Sequence, residues 1–142
     1  MYFKRLTDLA KLPTKRYGDG GYDLYAVEST VVQPGGRKKI KTDIAAIFKR
    51  GTMGLVWPRS GTANRDGIDI LGGAIDEIYT GEIQVILQNH SSEAFSVEPG
   101  QKIAQMIIVN YLDEAPVEWI GDLPDTIRGD SGFGSTGQNH EV

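Results

Sequence analysis

Two adjacent acids, Asp76 and Glu77, lie in the stretch GGAIDEIYTGE (72–82), between two apolar runs. This pattern predicts a β-hairpin with both acids near its tip. Acids at a hairpin tip are usually only solvated, which is the simpler interpretation. Tyr79, however, follows Asp76 by three residues. A carboxylate near an aromatic ring at the end of rigid strands suits a general base that acts beside a ligand.

The stretch PRSGTA (58–63) combines a cation with a hydroxyl group. Arg59 precedes Ser60, which is in a position to cap a single helical turn that extends through Asn64. Free backbone N–H groups at the start of a helix attract phosphate, so the stretch is compatible with an anion site. An ordinary capped turn with an exposed arginine explains the pattern equally well.

Two polar residues interrupt apolar runs elsewhere in the chain. Asp23 lies in GGYDLYA (20–26), and Gln105 lies in GQKIAQMII (100–108). An unpaired carboxylate in such a run would be costly, so Asp23 needs an arginine, a cluster of donors or a metal-bound water. The amide of Gln105 needs partners from the backbone or from a ligand. For both residues, structural pairing is the more frequent reason.

The stretch RGDSGFGSTG (128–137) contains four glycines and one large aromatic ring, Phe133. Three interpretations compete for it: a frayed tail, an adhesion-type RGD tripeptide, and an arm that closes over a ligand. Backbone N–H groups of glycines can surround a phosphate. Arg128 adds charge, Ser135 and Thr136 add hydroxyl groups, and Phe133 can stack on a nucleobase. We regard the RGD tripeptide as accidental.

The elements that position these stretches are short apolar or alternating runs separated by turn residues. The runs are YDLYAV (22–27), VVQ (31–33), KIKTDIAAIF (39–48), GLVW (54–57), IDIL (68–71), EIQVILQ (82–88), FSV (95–97) and IAQMIIVNYL (103–112). This spacing, together with 18 glycines, predicts an all-β sandwich or barrel with one helical turn. The apolar periodicity ends near Asp125, so we expect a β domain over 1–125 and a flexible glycine-rich arm over 126–142.

The composition narrows the class of protein. The chain has 142 residues, which fits one domain with a real core, and it has no cysteine. Its net charge of −4 argues against general nucleic-acid binding. We see no apolar run long enough to span a membrane and no signal peptide. We therefore expect an intracellular, cytoplasmic protein that binds neither nucleic acid nor membrane.

Taken in order, the five stretches GYDLYA, PRSGTA, GGAIDEIYTGE, GQKIAQM and RGDSGFGSTG resemble the five motifs of the trimeric dUTPases. The resemblance extends from about Gly20 to Gly137. It implies a jelly-roll, or distorted β-barrel, subunit and a homotrimer with shared active sites. It also implies Mg²⁺-dependent hydrolysis of dUTP to dUMP and pyrophosphate, which limits uracil incorporation into DNA and supplies dUMP for dTMP synthesis.

The resemblance also implies roles for individual residues. Asp76 would orient and deprotonate the water that attacks the α-phosphorus. The backbone from about Ile70 to Ala74 would bond the uracil edge, Tyr79 would stack under the deoxyribose, and Asp23 would touch Mg²⁺ through water. The implied substrate-binding set is Arg59, Ser60, Gly61, Ile70, Gly73, Ala74, Ile75, Tyr79, Gln105, Arg128, Phe133, Gly134, Ser135 and Thr136.

The chain departs from the family pattern at several positions. Many members read D-Y-R-G after the catalytic aspartate, whereas this chain has Ile78-Tyr79-Thr80-Gly81. Asp130 and Ser131 replace small residues in the arm, and Lys102 replaces a frequent arginine. Two alternative functions remain: a dCTP deaminase of the same architecture, and a regulatory module that binds a protein partner in a nucleotide-dependent way.

Overall fold

The computed structural model describes residues 1–127 and 129, and nearly all of its regular structure is β-strand. Within these residues the elements are β1 (Tyr2–Arg5), β2 (Gly21–Tyr25), β3 (Thr30–Val32), β4 (Arg37–Ile40), β5 (Ile44–Ile47), β6 (Thr52–Trp57), α1 (Ser60–Asp66), β7 (Ile68–Leu71), β8 (Ala74–Ile75), β9 (Val85–Asn89), β10 (Phe95–Val97) and β11 (Lys102–Asn110). The expectation of an all-β protein with one short helix is confirmed.

The strands form four antiparallel sheets that pack around one core. The largest sheet has the order β2-β11-β6-β8, and a second has the order β4-β9-β7. Two-stranded pairs, β1 with β5 and β3 with β10, complete the set. Over the described part of the chain, these sheets do not close into a barrel.

The core consists of apolar side chains from both larger sheets. Leu24 on β2, Leu87 on β9 and Met106 on β11 have no solvent exposure. Burial of such side chains is worth roughly 1.5–3 kcal/mol each, before the entropy of ordering is subtracted. Because β11 contributes nine residues and pairs with both β2 and β6, it fixes the relative positions of the segments that carry Asp23 and Arg59.

Each of the eight predicted runs contains a strand, but the run KIKTDIAAIF contains two. It divides into β4 and β5 at Thr42 and Asp43, and Asp43 has a φ of 50°. The carboxylate of Glu82 accepts hydrogen bonds from the backbone N–H groups of both residues, at 3.1 and 3.0 Å. These two N–H groups therefore do not pair with a neighbouring strand, and the run is broken between β4 and β5. Hydrophobic periodicity gives no sign of this break. Strand β1 was not predicted, since charged residues interrupt its pattern.

The hairpin prediction for residues 72–82 is right about the flanking strands and wrong about the tip. Strands β7 and β9 pair directly, from Ile68 opposite Asn89 to Leu71 opposite Ile86. The segment between them leaves that sheet, and its own strand β8 pairs with Gly54 and Leu55 of β6. Asp76 therefore follows a strand of the four-stranded sheet and does not lie at the tip of the β7–β9 pair.

Candidate active site

Asp23 has the cationic partners that its position in an apolar run requires. Its Oδ1 accepts a hydrogen bond from Nε of Arg59 at 3.0 Å, and its Oδ2 lies 2.6 Å from Nζ of Lys102. The side chain is only about one-fifth exposed, at 21%. Two charge-assisted contacts offset the desolvation of a carboxylate in such a place. The sequence left an arginine, a cluster of donors and a metal-bound water open as partners, and the structure supplies Arg59 together with Lys102.

Gln105 uses its amide for the backbone. Its Nε2 donates a hydrogen bond to the carbonyl oxygen of Pro58 at 2.9 Å. On β11, Gln105 lies opposite Asp23 on one side and Trp57 on the other. It therefore anchors the backbone immediately before Arg59. A Cβ atom added to Gly21 would lie 2.7 Å from Oε1 of Gln105, so the glycine leaves room for this amide.

Ser60 does not cap the helix, contrary to the expectation from sequence. The N-cap is Arg59, with extended backbone, and it makes no side-chain cap hydrogen bond. Ser60 is the first helical residue and is exposed. Its hydroxyl group is therefore directed to solvent beside Arg59 and is not used by the backbone within the described residues.

These residues surround one cavity of about 380 Å³. It is lined by Arg16, Asp19, Gly20, Gly21, Asp23, Arg59, Ser60, Gly61, Lys102 and Gln105. Five of the residues selected from sequence are thus brought together. Arg16 and Asp19 were missed, and the available signal was the loop KRYGDGG directly before β2. Three cations and two carboxylates line this polar cavity, so its lining has a net positive charge and suits an anionic ligand.

The second cluster of selected residues surrounds the turn after β8. The N–H of Tyr79 donates to the carbonyl of Asp76 at 3.0 Å and closes this turn. The phenol of Tyr79 donates to the carbonyl of Glu82 at 2.9 Å. A cavity of about 230 Å³ lies here, lined by Lys39, Ala74, Ile75, Asp76, Tyr79, Glu82, Gln84 and Ile86.

Gly73 lies in the link between β7 and β8, which belong to the two larger sheets, and the space at this position admits no side chain. Its carbonyl accepts a hydrogen bond from the N–H of Val56 at 2.7 Å, and an added Cβ would overlap the carbonyl oxygen of Val56. Ile70, Gly73 and Ala74 also line a cavity of about 380 Å³ with Trp57 and Pro58. The segment chosen for uracil is therefore held close to β6.

Glu77, the second acid of the pair, is not solvated at a tip. Its Oε2 accepts hydrogen bonds from the N–H of Gly51 at 2.6 Å and from the phenol of Tyr111 at 2.8 Å. The bond to Glu77, with burial and nearby acids as smaller causes, raises the pKa of Tyr111 above its ordinary value. Sequence patterns contain no signal for this contact, because its three members are far apart in the chain.

The Asp23 and Asp76 clusters are separate in one chain. No residue that lines the cavity at Arg59 also lines a described cavity at Asp76. The expected arm residues Arg128, Phe133, Gly134, Ser135 and Thr136 lie outside the described residues. Within residues 1–127 and 129, no three acidic or histidine side chains form a metal-binding group, and no helix is long and apolar enough to cross a membrane.

Comparisons with known proteins agree on one family. A dUTPase family model matches residues 8–137. The chain is 45% identical over 137 residues to the deoxyuridine 5'-triphosphate nucleotidohydrolase of Alkaliphilus metalliredigens, and the match covers 94% of each protein. The dUTPase of Staphylococcus bacteriophage 80alpha, solved with dUpNHpp, aligns with a TM-score of 0.88 at 26% identity, over 96% of this chain and 97% of that one.

A further structural relative is a mutant dUTPase from phage phi11 of S. aureus, in which a structural Mg(II) ion is coordinated. It aligns with a TM-score of 0.78 at 24% identity and covers 84% of this chain and 96% of that one. The architecture described above is the jelly-roll fold of these enzymes. This chain belongs to the dUTPase family.

Proposed function

We propose that this dUTPase hydrolyses dUTP to dUMP and pyrophosphate through two half-sites. The phosphate half-site is the cavity around Arg59, Ser60, Lys102 and Asp23. The nucleoside half-site consists of β8 and the turn from Asp76 to Tyr79, with its cavity. The observation that carries the proposal is the cation-rich cavity built from the stretch PRSG, in a chain that matches dUTPases over residues 8–137.

The phosphate half-site is suited to the triphosphate by charge. Arg59 and Lys102 flank the carboxylate of Asp23, and Arg16 lines the same cavity. Arginine binds phosphate oxygens through a planar fork of donors, whereas lysine acts as a point charge. Arg59, with Ser60 and Gly61 beside it, therefore binds the phosphates, and Gln105 supports them by holding the backbone at Pro58.

The residues fit a magnesium ion held mainly by water and phosphate, and they do not form a complete protein cage. Mg²⁺ usually keeps several waters and takes one or two carboxylates plus substrate phosphates. Asp23 is the carboxylate that the phosphate half-site offers next to its cations. When bound, Mg²⁺ supplies charge that neutralises the phosphates. Asp23 would hold the ion through water, while Arg59 and Lys102 would engage the phosphates.

In the nucleoside half-site, Asp76 is the general base. Its exposed carboxylate orients a water and takes its proton as the new bond to the α-phosphorus forms and the bond to the leaving pyrophosphate breaks. The backbone from about Ile70 to Ala74 binds the uracil edge, which leaves no room for a 5-methyl group. Tyr79 stacks under the deoxyribose. The fixed position of Gly73 against Val56 supports this arrangement.

A complete site requires a homotrimer in which the half-sites and the arm come from different chains. The separation of the two cavities in one chain supports this proposal. So does the segment after β11, which has no helix or strand up to Ile127 and exposes large apolar side chains, including Trp119 at 71% and Ile120 at 93%. Exposed apolar side chains in this number suit contact with another chain. Residues 126–142 act as the arm.

The test is pyrophosphate release from dUTP, dTTP, dCTP and UTP, with and without Mg²⁺. We expect dUTP to be hydrolysed far better than the other three. Cytosine would leave polar groups of the site unpaired, the 5-methyl group of dTTP would meet the backbone from Ile70 to Ala74, and the 2′-hydroxyl of UTP would meet Tyr79. Comparable turnover of dTTP would contradict the role of the backbone from Ile70 to Ala74. Deamination of dCTP without pyrophosphate release would favour the deaminase instead.

A further inference from the structure

Asp76 depends on its backbone for its position. Within residues 1–127 and 129, no hydrogen bond holds its carboxylate, which is exposed. The strand before it, β8, has only two residues, and these pair with Gly54 and Leu55. One backbone hydrogen bond closes the turn from Asp76 to Tyr79. Neither feature is enough to fix a general base to within the tolerance that catalysis requires.

Glu77 supplies the missing anchor for this turn. It follows Asp76 directly and is half-buried, and its Oε2 accepts from the N–H of Gly51 at 2.6 Å and from the phenol of Tyr111 at 2.8 Å. Hydrogen bonds to an ionised acceptor are roughly twice as strong as neutral ones. Two such bonds on one oxygen fix the side chain and, through it, the turn.

The two donors lie at the paired ends of two long strands. Gly51 immediately precedes β6, and Tyr111 immediately follows β11. These strands pair from Thr52 opposite Asn110 to Trp57 opposite Gln105. The N–H of Tyr111 also donates to the carbonyl of Gly51 at 3.1 Å, so the two anchors are bonded to each other. Glu77 thus attaches the turn to the paired ends of two long strands.

We propose that Glu77 is a positioning residue that holds Asp76 in place for catalysis by binding Gly51 and Tyr111. The inference rests on the proposed role of Asp76 as general base. It gives Glu77, the second acid of the pair, a role in catalysis. A solvated acid at a hairpin tip would have no such role. It also places Tyr111, the first residue after β11, in the support of the active site.

The decisive variants are Glu77→Ala, Glu77→Gln and Tyr111→Phe. Misplacing a catalytic group by about 1 Å can cost on the order of 100-fold in rate, so we expect Glu77→Ala to lower kcat by about 10- to 100-fold. The KM for dUTP should change less than kcat, because the variant removes no substrate-binding group and Tyr79, on the same turn, keeps its own hydrogen bond to the carbonyl of Glu82. Tyr111→Phe removes one of the two bonds and should lower kcat less. Glu77→Gln keeps an acceptor oxygen and should recover most of kcat.

Two measurements separate positioning from a general loss of stability. Amide hydrogen exchange at residues 76–79 should accelerate in Glu77→Ala while exchange in β6 and β11 stays as in the wild type. In the double variant, Tyr111→Phe should have no further effect once Glu77 is alanine, since members of one network are not additive. If Glu77→Ala folds poorly, Tyr111→Phe tests the proposal in its place. Its kcat should fall while its KM for dUTP stays close to the wild-type value.

Controls use a matched acid and a matched phenol. Glu93→Ala removes an exposed carboxylate that makes no hydrogen bond to the described residues, and Tyr2→Phe removes the phenol of a side chain that is 75% exposed. Both should keep the wild-type kcat. Unchanged kcat and unchanged exchange in Glu77→Ala would overturn the proposal. That outcome differs from failure of the proposed function, in which Asp76→Asn itself would retain activity.

Discussion

At the scale of single residues, Asp23 and Asp76 show how burial and partners divide the work of two carboxylates. Asp23 is held between Arg59 and Lys102 and is only 21% exposed, whereas Asp76 is exposed. Both carboxylate oxygens of Asp23 face cations. The carboxylate of Asp76 is open to water, as the role proposed for it requires. The sequence singled out both residues but could not assign their partners.

Asp76→Asn keeps the size of the side chain and removes its basicity. A general base contributes roughly 10²–10⁴-fold to rate, so we expect kcat to fall by that factor while dUpNHpp still binds. Single-turnover kinetics and calorimetric titration measure the two effects. Asp8→Asn, at an exposed site near the N-terminus, is the control. Early melting and lost binding in Asp76→Asn would make Asp76 a structural residue.

The double pairing of Asp23 predicts that nucleotide and divalent cation bind cooperatively. Without phosphates, both carboxylate oxygens face cations, at 3.0 Å from Arg59 and 2.6 Å from Lys102. A divalent ion should therefore bind the free protein weakly and the dUpNHpp complex much more tightly. Electron paramagnetic resonance of Mn²⁺ measures the free ion in each case.

Lys102→Ala tests the cause of this cooperativity. Removal of one cation leaves Oδ2 of Asp23 free, so the nucleotide-free variant should bind Mn²⁺ more tightly than the wild type does. Lys4→Ala, on the exposed strand β1, should leave Mn²⁺ binding unchanged. Equal affinity for Mn²⁺ with and without dUpNHpp in the wild type would contradict the coupling.

At the scale of elements, strand positions follow from periodicity, while the connections between sheets do not. Alternating runs such as FSV and the long run at 103–112 became strands, since one face of each must be buried. The transfer of β8 from the β7–β9 pair to β6 depends on contacts between residues far apart in sequence. Only the pair of glycines at 72 and 73 marks that point, and it lies within the stretch for which the sequence predicts a single hairpin.

Gly73→Ala should destabilise the protein because the new methyl group has no space. Its Cβ would overlap the carbonyl oxygen of Val56, a backbone atom that cannot rotate away. Overpacking of this kind typically costs about 1–3 kcal/mol, so the free energy of unfolding in urea should fall by that amount. Gly20→Ala, where nothing lies within 4 Å of the added Cβ, should leave it nearly unchanged. Equal stability of both variants would mean that β8 moves away from β6 freely.

At the scale of the whole molecule, the five motifs identified the family, but within the described residues one chain does not bring the first four into one site. The motifs at Asp23, Arg59 and Gln105 meet in a single cavity, and the motif at Asp76 lies at another. Order along the sequence carries no information about which chain completes a site. The shared homotrimer therefore remains a prediction, supported by the exposed apolar side chains after β11.

Mixed assemblies of two inactive variants test this prediction. An Asp76→Asn chain keeps residues 126–142, and a chain that lacks 126–142 keeps Asp76. Each variant alone should form a nearly inactive homotrimer. Unfolded together and refolded as an equal mixture, the two should form mixed trimers that contain some complete sites.

The recovered activity follows from random assortment of chains. If Asp76 and the arm of a site come from different chains, Asp76 is intact in one half of the sites. The arm is independently intact in one half of the sites. One half times one half gives about one quarter of wild-type activity for a closed cyclic trimer. Native mass spectrometry verifies that mixed trimers have formed, and each variant refolded alone is the control. Mixed trimers without recovered activity would show that each arm completes the Asp76 site of its own chain, because random mixing then never unites an intact Asp76 with an intact arm.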